Sequence, residues 1–101
     1  MAWSNHFLDA LPAKALAAIE RDLERVTLVR DELITEINQP VRRVILPATS
    51  IVSVIAVMAN GYPVESRTIG REGGFGLLHA LGSRTSVERV TTQIGGQAFR
   101  I

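Results

Sequence analysis

At 101 residues with no cysteine, the chain has the size of one small domain, and it excludes disulfides, thiolate zinc sites, a cysteine nucleophile and cysteine-ligated iron–sulfur clusters. Hydrophobic residues make up 47% against 21% charged, which is globular rather than disordered, and the charges nearly cancel to a net +1. No dense lysine or arginine block marks a nucleic-acid footprint, no basic-then-apolar start marks a signal peptide, and the longest apolar run, Ile51 to Asn60, is too short to cross a bilayer. A cytoplasmic domain without a membrane partner is expected.

In chain order, Ser4 or Asn5 caps a short first helix that Leu11-Pro12 interrupts, and a second helix runs to about Asp22. Leu16, Ile19 and Leu23 recur at helical spacing on one face, with Lys14, Glu20 and Arg21 elsewhere, which predicts a helix laid on a sheet. After Leu23 the period changes to alternation. Strands are expected around Val26–Leu28, from Leu33 to Ile37, from Val41 to Leu46 with Pro47 as a stop, and from Ile51 to Met58. Asn60-Gly61 predicts a hairpin into a strand from Pro63 to Ile69. Phe75 to Leu81 is expected to form one or two helical turns ending at Gly82. Val87 to Ile94 and Ala98 to Ile101 read as the last strands, with Gly95-Gly96 between them. Short strands with turn signals between them indicate a mainly β, antiparallel sandwich or roll, with residues 1–23 as a helical lead-in and 24–101 as the β portion.

Four of the eight glycines fall within Ile69–Gly76, Ile-Gly-Arg-Glu-Gly-Gly-Phe-Gly, between apolar strand-like segments. Glycine reaches positive φ without a Cβ clash, so such a run can aim amide N–H groups into one concavity that holds an anion; the alternative is a sharp corner between strands. Catalytic and metal readings have little to stand on. The only histidines are His6 and His79, far apart, and Ser50, Ser53 and Ser83 lack a nucleophile-elbow context, so no enzyme and no metal are expected.

The order Leu11-Pro12, Ile45-Leu46-Pro47, Ile51-Val52-Ser53-Val54, Asn60-Gly61, Val64-Glu65, Ile69-Gly70-Arg71-Glu72-Gly73 and Gln93 to Ala98 resembles the N-terminal sensor domain of the Crp/Fnr family of bacterial transcription regulators, over nearly the whole chain. The resemblance implies a cyclic-nucleotide-binding-like jelly roll, a double-stranded β-helix. In that fold a glycine-rich turn and short helix, the phosphate-binding cassette, face the ligand. It also marks departures. Asp31 and Asn38 stand at two turns where the family uses glycine, and both tolerate left-handed geometry. Nucleotide-binding members carry Gly-Glu-Leu for the ribose and an arginine about ten residues later for the phosphate. Here Gly76-Leu77-Leu78 places leucine at the glutamate, and the arginine position falls near Ser86 or Val87. Cyclic AMP in the usual mode is therefore not expected.

The candidate ligand-binding residues are Gly70, Glu72, Gly73, Gly74, Phe75, Gly76, Leu77 and Arg89, with Glu72 and Arg89 as substitutes for the missing charges. Haem at His79, known for some relatives, is a further reading, and the cofactor stays unassigned. The family's long dimer helix and helix-turn-helix are not in this sequence, so DNA binding by this chain alone is not expected; it is either a fragment of a longer regulator or a domain that stands alone. The expected partners are a small-molecule effector, a second copy or a regulator subunit. The two functional readings are a noncatalytic ligand sensor and a degenerate interaction or dimerisation module. A polar cavity walled by Gly73–Gly76 and the strand around Arg89 favours the sensor; filling of that space by Leu77 and Leu78 favours the module.

Overall fold

The computed structural model describes residues 3–41, 43–57, 62–77 and 88–101, and for residues 57 and 63–66 the backbone alone. Among the described residues, two short helices, α1 (His6–Ala10) and α2 (Ala13–Ile19), lead through a 3-10 turn (Glu20–Asp22) into seven strands: β1 (Glu24–Leu28), β2 (Leu33–Thr35), β3 (Ile45–Pro47), β4 (Ile51–Val57), β5 (Pro63–Ile69), β6 (Glu88–Ile94) and β7 (Gly96–Arg100). They form a three-stranded sheet, β1-β7-β3, and a four-stranded sheet, β2-β6-β4-β5. All pairings are antiparallel. This is the expected mainly β jelly roll with N-terminal helices.

Period-two alternation on the three-stranded sheet creates two cores. Ile45 and Ala98 face inward, where they join Leu28 with Val52, Val54, Ile69, Phe75 and Val90 in an interior cluster shared by both sheets. Their neighbours Leu46 and Phe99 face outward and bury Leu8 of α1. Leu16, Ile19 and Leu23 pack on this outer cluster, so the stripe legible in the sequence is the face that covers the sheet. Trp3 meets Phe99 edge to face at 5.0 Å, and the Arg25 guanidinium lies 5.4 Å from the centroid of the same ring.

Several boundaries differ from the sequence reading. The third strand begins at Ile45 and includes Pro47, which pairs with Ala98. A proline is tolerated because β3 is an edge strand, where its missing N–H faces no partner. The second strand ends at Thr35, because the chain turns at 37–38 with Asn38 at φ 65°. The last strand begins at Gly96, so Gly95 alone separates β6 from β7. Asp31, at φ 70°, and Asn38 both take the left-handed geometry expected of them. The Asn60-Gly61 hairpin, the end of the fourth strand at Met58 and residues 78–87 lie outside the described residues.

Candidate functional site

The glycine turn joins the end of β5 to the edge of β3. Phe75 and Ile45 exchange both backbone hydrogen bonds, Phe75 N–H to Ile45 O at 2.8 Å and Ile45 N–H to Phe75 O at 2.9 Å. The Phe75 side chain, 1% exposed, belongs to the interior cluster. Residues 75–77 are thus a bridge and a turn, where the sequence predicted the start of a helix, because pairing with β3 holds the backbone extended at Phe75. Gly76 follows at φ 93°, the only positive-φ glycine in the turn, and a Cβ there would lie 2.8 Å from the Arg43 carbonyl oxygen. Gly74 is needed for a different reason, since its Cβ would meet Leu46 Cδ2 at 2.5 Å. Close packing on β3, rather than a row of left-handed residues, is what these two glycines permit.

Three amides of the run are already spent. Gly70 N–H donates to Glu72 Oε1 at 2.9 Å, Gly73 N–H to Gly70 O at 3.3 Å, and Phe75 N–H to Ile45 O. The Gly70 N–H, then its own N–H, hold the Glu72 carboxyl below the usual carboxylate range. Glu72 is exposed, and its carboxylate closes the turn from outside.

A residue named in the sequence only as a cap ties this turn to the helices. Asn5 is fully buried. Its Oδ1 accepts the Leu8 N–H at 3.1 Å, capping α1, while its Nδ2 donates to Pro47 O at 2.7 Å and Gly73 O at 2.9 Å. The His6 N–H adds a bond to Arg71 O at 2.7 Å. One amide side chain therefore links the start of α1, the end of β3 and the glycine turn. The capping preference was visible in the sequence. The two long-range acceptors had no signal there, because they are backbone carbonyls.

The remaining candidates do not converge. Leu77 packs on the outer cluster with Leu8, Leu46 and Phe99. Arg89 has the opposite parity on β6 to Val90, which faces the interior, and its Nε donates to Glu36 Oε1 at 2.8 Å just beyond β2. That bond is the main reason the Glu36 carboxyl is held below its ordinary range. Leu78, His79, Ser86 and Val87 lie outside the described residues.

A cavity of about 490 Å³ opens elsewhere, between β1, β2 and the segment around Gln39–Arg43. Val26, Leu28, Ile34 and Ile45 supply apolar wall, and Glu32, Arg43 and Arg100 supply charge. Neither Gly73–Gly76 nor Arg89 lines it. Among the described residues, no group of three or more His, Asp or Glu side chains is placed to hold a metal ion, and no helix is long and apolar enough to cross a membrane.

No protein-family model and no curated protein sequence matches the chain. Solved structures do. A regulatory subunit of a cAMP-independent protein kinase A from Trypanosoma cruzi, bound to guanosine, superposes at TM-score 0.84 with 16% identity, over 97% of this chain and 35% of that one. The N-terminal domain of a transcriptional regulator from Streptomyces coelicolor gives TM-score 0.77 with 16% identity, over 96% of this chain and 69% of that one. The catabolite activator protein of Thermus thermophilus gives 0.79 with 11% identity, over 96% and 46%. The chain spans about a third of the length of the kinase regulatory subunits it matches. The chain shares its fold with domains of these kinase regulatory subunits and transcription regulators.

Proposed function

We propose that the chain is a noncatalytic, ligand-sensing regulatory domain of the Crp/Fnr type that does not take cyclic AMP in the family's usual mode. The observation that carries this reading is the position of Leu77. It stands where nucleotide-binding members present a glutamate to the ribose, and it packs outward on Leu8, Leu46 and Phe99. It can accept no hydrogen bond, and Arg89, the nearest substitute for the phosphate-binding arginine, has the opposite parity to the interior-facing Val90 and donates to Glu36. A structure of the same fold, the regulatory subunit of a cAMP-independent protein kinase A, is bound to guanosine, which supports such a change of ligand. In this reading the domain acts in the cytoplasm, with a small-molecule effector and a regulator subunit as partners.

A thermal-shift titration against cyclic AMP, cyclic GMP, nucleosides and small organic acids tests it. A ligand of the native state raises stability by about 2.7 kcal/mol at a hundredfold excess over its Kd. No shift with cyclic AMP and a concentration-dependent shift with another small molecule is the expected result; a strong cyclic AMP shift overturns the ligand assignment.

The interaction-module reading has its own support. Val29, Leu33 and Ile94 are 63%, 52% and 51% exposed. They lie near one another, because Asp31 N–H donates to Thr92 O and Thr92 N–H to Glu32 O at that end of the roll. If this reading holds, light scattering shows a concentration-dependent dimer that Leu33→Asp abolishes, with no small molecule shifting the melt.

A further inference from the structure

The two consecutive strands β1 and β2 belong to different sheets. β1 pairs with β7 and β2 with β6, so the turn at 29–32 carries the chain across from one sheet to the other and leaves a seam between them. The 490 Å³ cavity occupies this seam, within the range of about 300–1,000 Å³ found for small-molecule sites.

Its chemistry is graded from floor to rim. On β1, Glu24, Val26 and Leu28 share a face, opposite Arg100, Ala98 and Gly96 of β7. Leu28 and Ala98 are buried in the interior cluster, Val26 is half-buried against it, and the Glu24–Arg100 pair is charged. An arginine therefore occupies the inward parity of a strand at the cavity's rim. Glu24 Oε1 lies 2.7 Å from Arg100 Nε and 4.0 Å from Arg43 Nη1, so one carboxylate stands between two guanidiniums and the trio carries one excess positive charge. Glu32, the acid in the cavity wall, accepts the Val29 N–H through Oε1 at 2.9 Å and keeps its charge, so the four charged groups balance and recognition of an anion rests on the directed guanidinium donors of Arg43 and Arg100 rather than on net charge. Thr27, Thr35 and Gln39 add neutral hydrogen-bonding groups.

We propose that the seam cavity binds an amphipathic anion, a molecule with a short apolar body and a carboxylate or phosphate head, the body lying on Val26, Ile34 and Ile45 and the head meeting Arg43 and Arg100. The inference rests on the sensor reading above: it names the class of effector and places its site away from the glycine turn. An apolar wall contributes through area removed from water, and a guanidinium contributes a directed, charge-assisted hydrogen bond to a carboxylate or phosphate.

Methyl NMR of isoleucine-labelled full chain tests the site directly. Decanoate and decyl phosphate, each below its micelle-forming concentration, are expected to shift the Ile34 and Ile45 δ1 methyls and to spare Ile19; whichever head binds more tightly identifies the source. Arg43→Gln, which alters a half-exposed side chain and leaves the backbone unchanged, is expected to weaken the anion about tenfold and leave decyltrimethylammonium unaffected. Arg100→Gln is the second variant, and Arg43→Gln stands alone if that one does not fold. Silence of both methyls with both anions overturns the inference, as does binding of the cationic amphiphile as tightly as the anions. If the anions are silent while a nucleotide shifts amides in 69–77, this inference falls and the sensor reading stands. If no ligand gives a response, both fall.

Discussion

The glycine turn and the β1/β2 seam invert what their sequences suggest. The turn has the composition of an anion nest, yet the amides of Gly70, Gly73 and Phe75 serve internal acceptors, and its backbone is fastened to β3 and to Asn5. The seam has no glycine and no motif, yet it holds a cavity with an apolar floor and arginines at its rim. A glycine-rich run records that the backbone passes close to something. Here that something is the chain itself, at Arg43 O and Leu46. Openness arises instead where two successive strands part to different sheets.

The largest effect is expected at Asn5. Asn5→Ala removes the cap of α1 and leaves the Pro47 and Gly73 carbonyls without their donor, a loss of about 2–4 kcal/mol in urea melts. Asn5→Asp keeps the cap acceptor but turns a carboxylate onto those two carbonyls, which raises its folded pKa above the unfolded value of about 3.9. The stability of that variant relative to the parent is then fully present below about pH 3.9 and lost as pH rises through the folded pKa. Melts at pH 4 and pH 7 check the sign, and a pH-independent difference would break the picture of a three-way clamp.

Next comes the contrast within the turn. Gly76→Ala forces a side chain into left-handed backbone against the Arg43 carbonyl, for a loss of about 1–3 kcal/mol. Gly73→Ala meets only Ile69 Cγ2 at 3.8 Å and should change stability by less than about 1 kcal/mol, in either direction. Equal losses at both positions would mean that the run works as a unit, as a nest would, and not as one tight approach beside a tolerant position.

A smaller effect is expected in acid. Glu24, Glu36 and Glu72 are all held below the ordinary value of 4.5, by Arg100, by Arg89 and by the Gly70 N–H respectively. A depressed folded pKa contributes stability above the unfolded value that is lost as pH falls through the folded one, so the melting temperature should decline below about pH 4.5. Glu72→Gln should flatten part of that decline, sharpening the assignment of this carboxylate to the turn. The smallest effect is at the seam. The Arg43 side chain is half exposed and 4.0 Å from Glu24, so Arg43→Gln should alter stability by less than about 0.5 kcal/mol while it weakens anion binding.

Much of the architecture was legible because it follows from local rules. The stripe Leu16, Ile19 and Leu23 marked the helix face, alternation marked strands, and Asp31 and Asn38 marked left-handed turns. Pro47 misled because its meaning depends on whether its strand lies at an edge. Phe75 misled because a residue that suits a helix was instead paired with Ile45 across thirty residues of chain. The candidate ligand residues were a glycine-rich run from Gly70 to Leu77 and Arg89 on the next strand, and the fold places Phe75 in the interior, Leu77 on the outer cluster and Arg89 on the far face of β6.

By itself, the sequence determined the mainly β class of fold, the helical lead-in and the turns at Asp31 and Asn38. Each of these is written in residue type and short-range spacing, where propensity and chirality act. The tertiary structure alone decided that Asn5 bridges three elements, that the amides of Gly70, Gly73 and Phe75 are satisfied from within, and that Arg43 and Arg100 flank Glu24 beside the seam cavity. Those outcomes depend on which strands become neighbours. Pairing across long stretches of chain is set by the burial of two faces at once, and no window along the chain contains it.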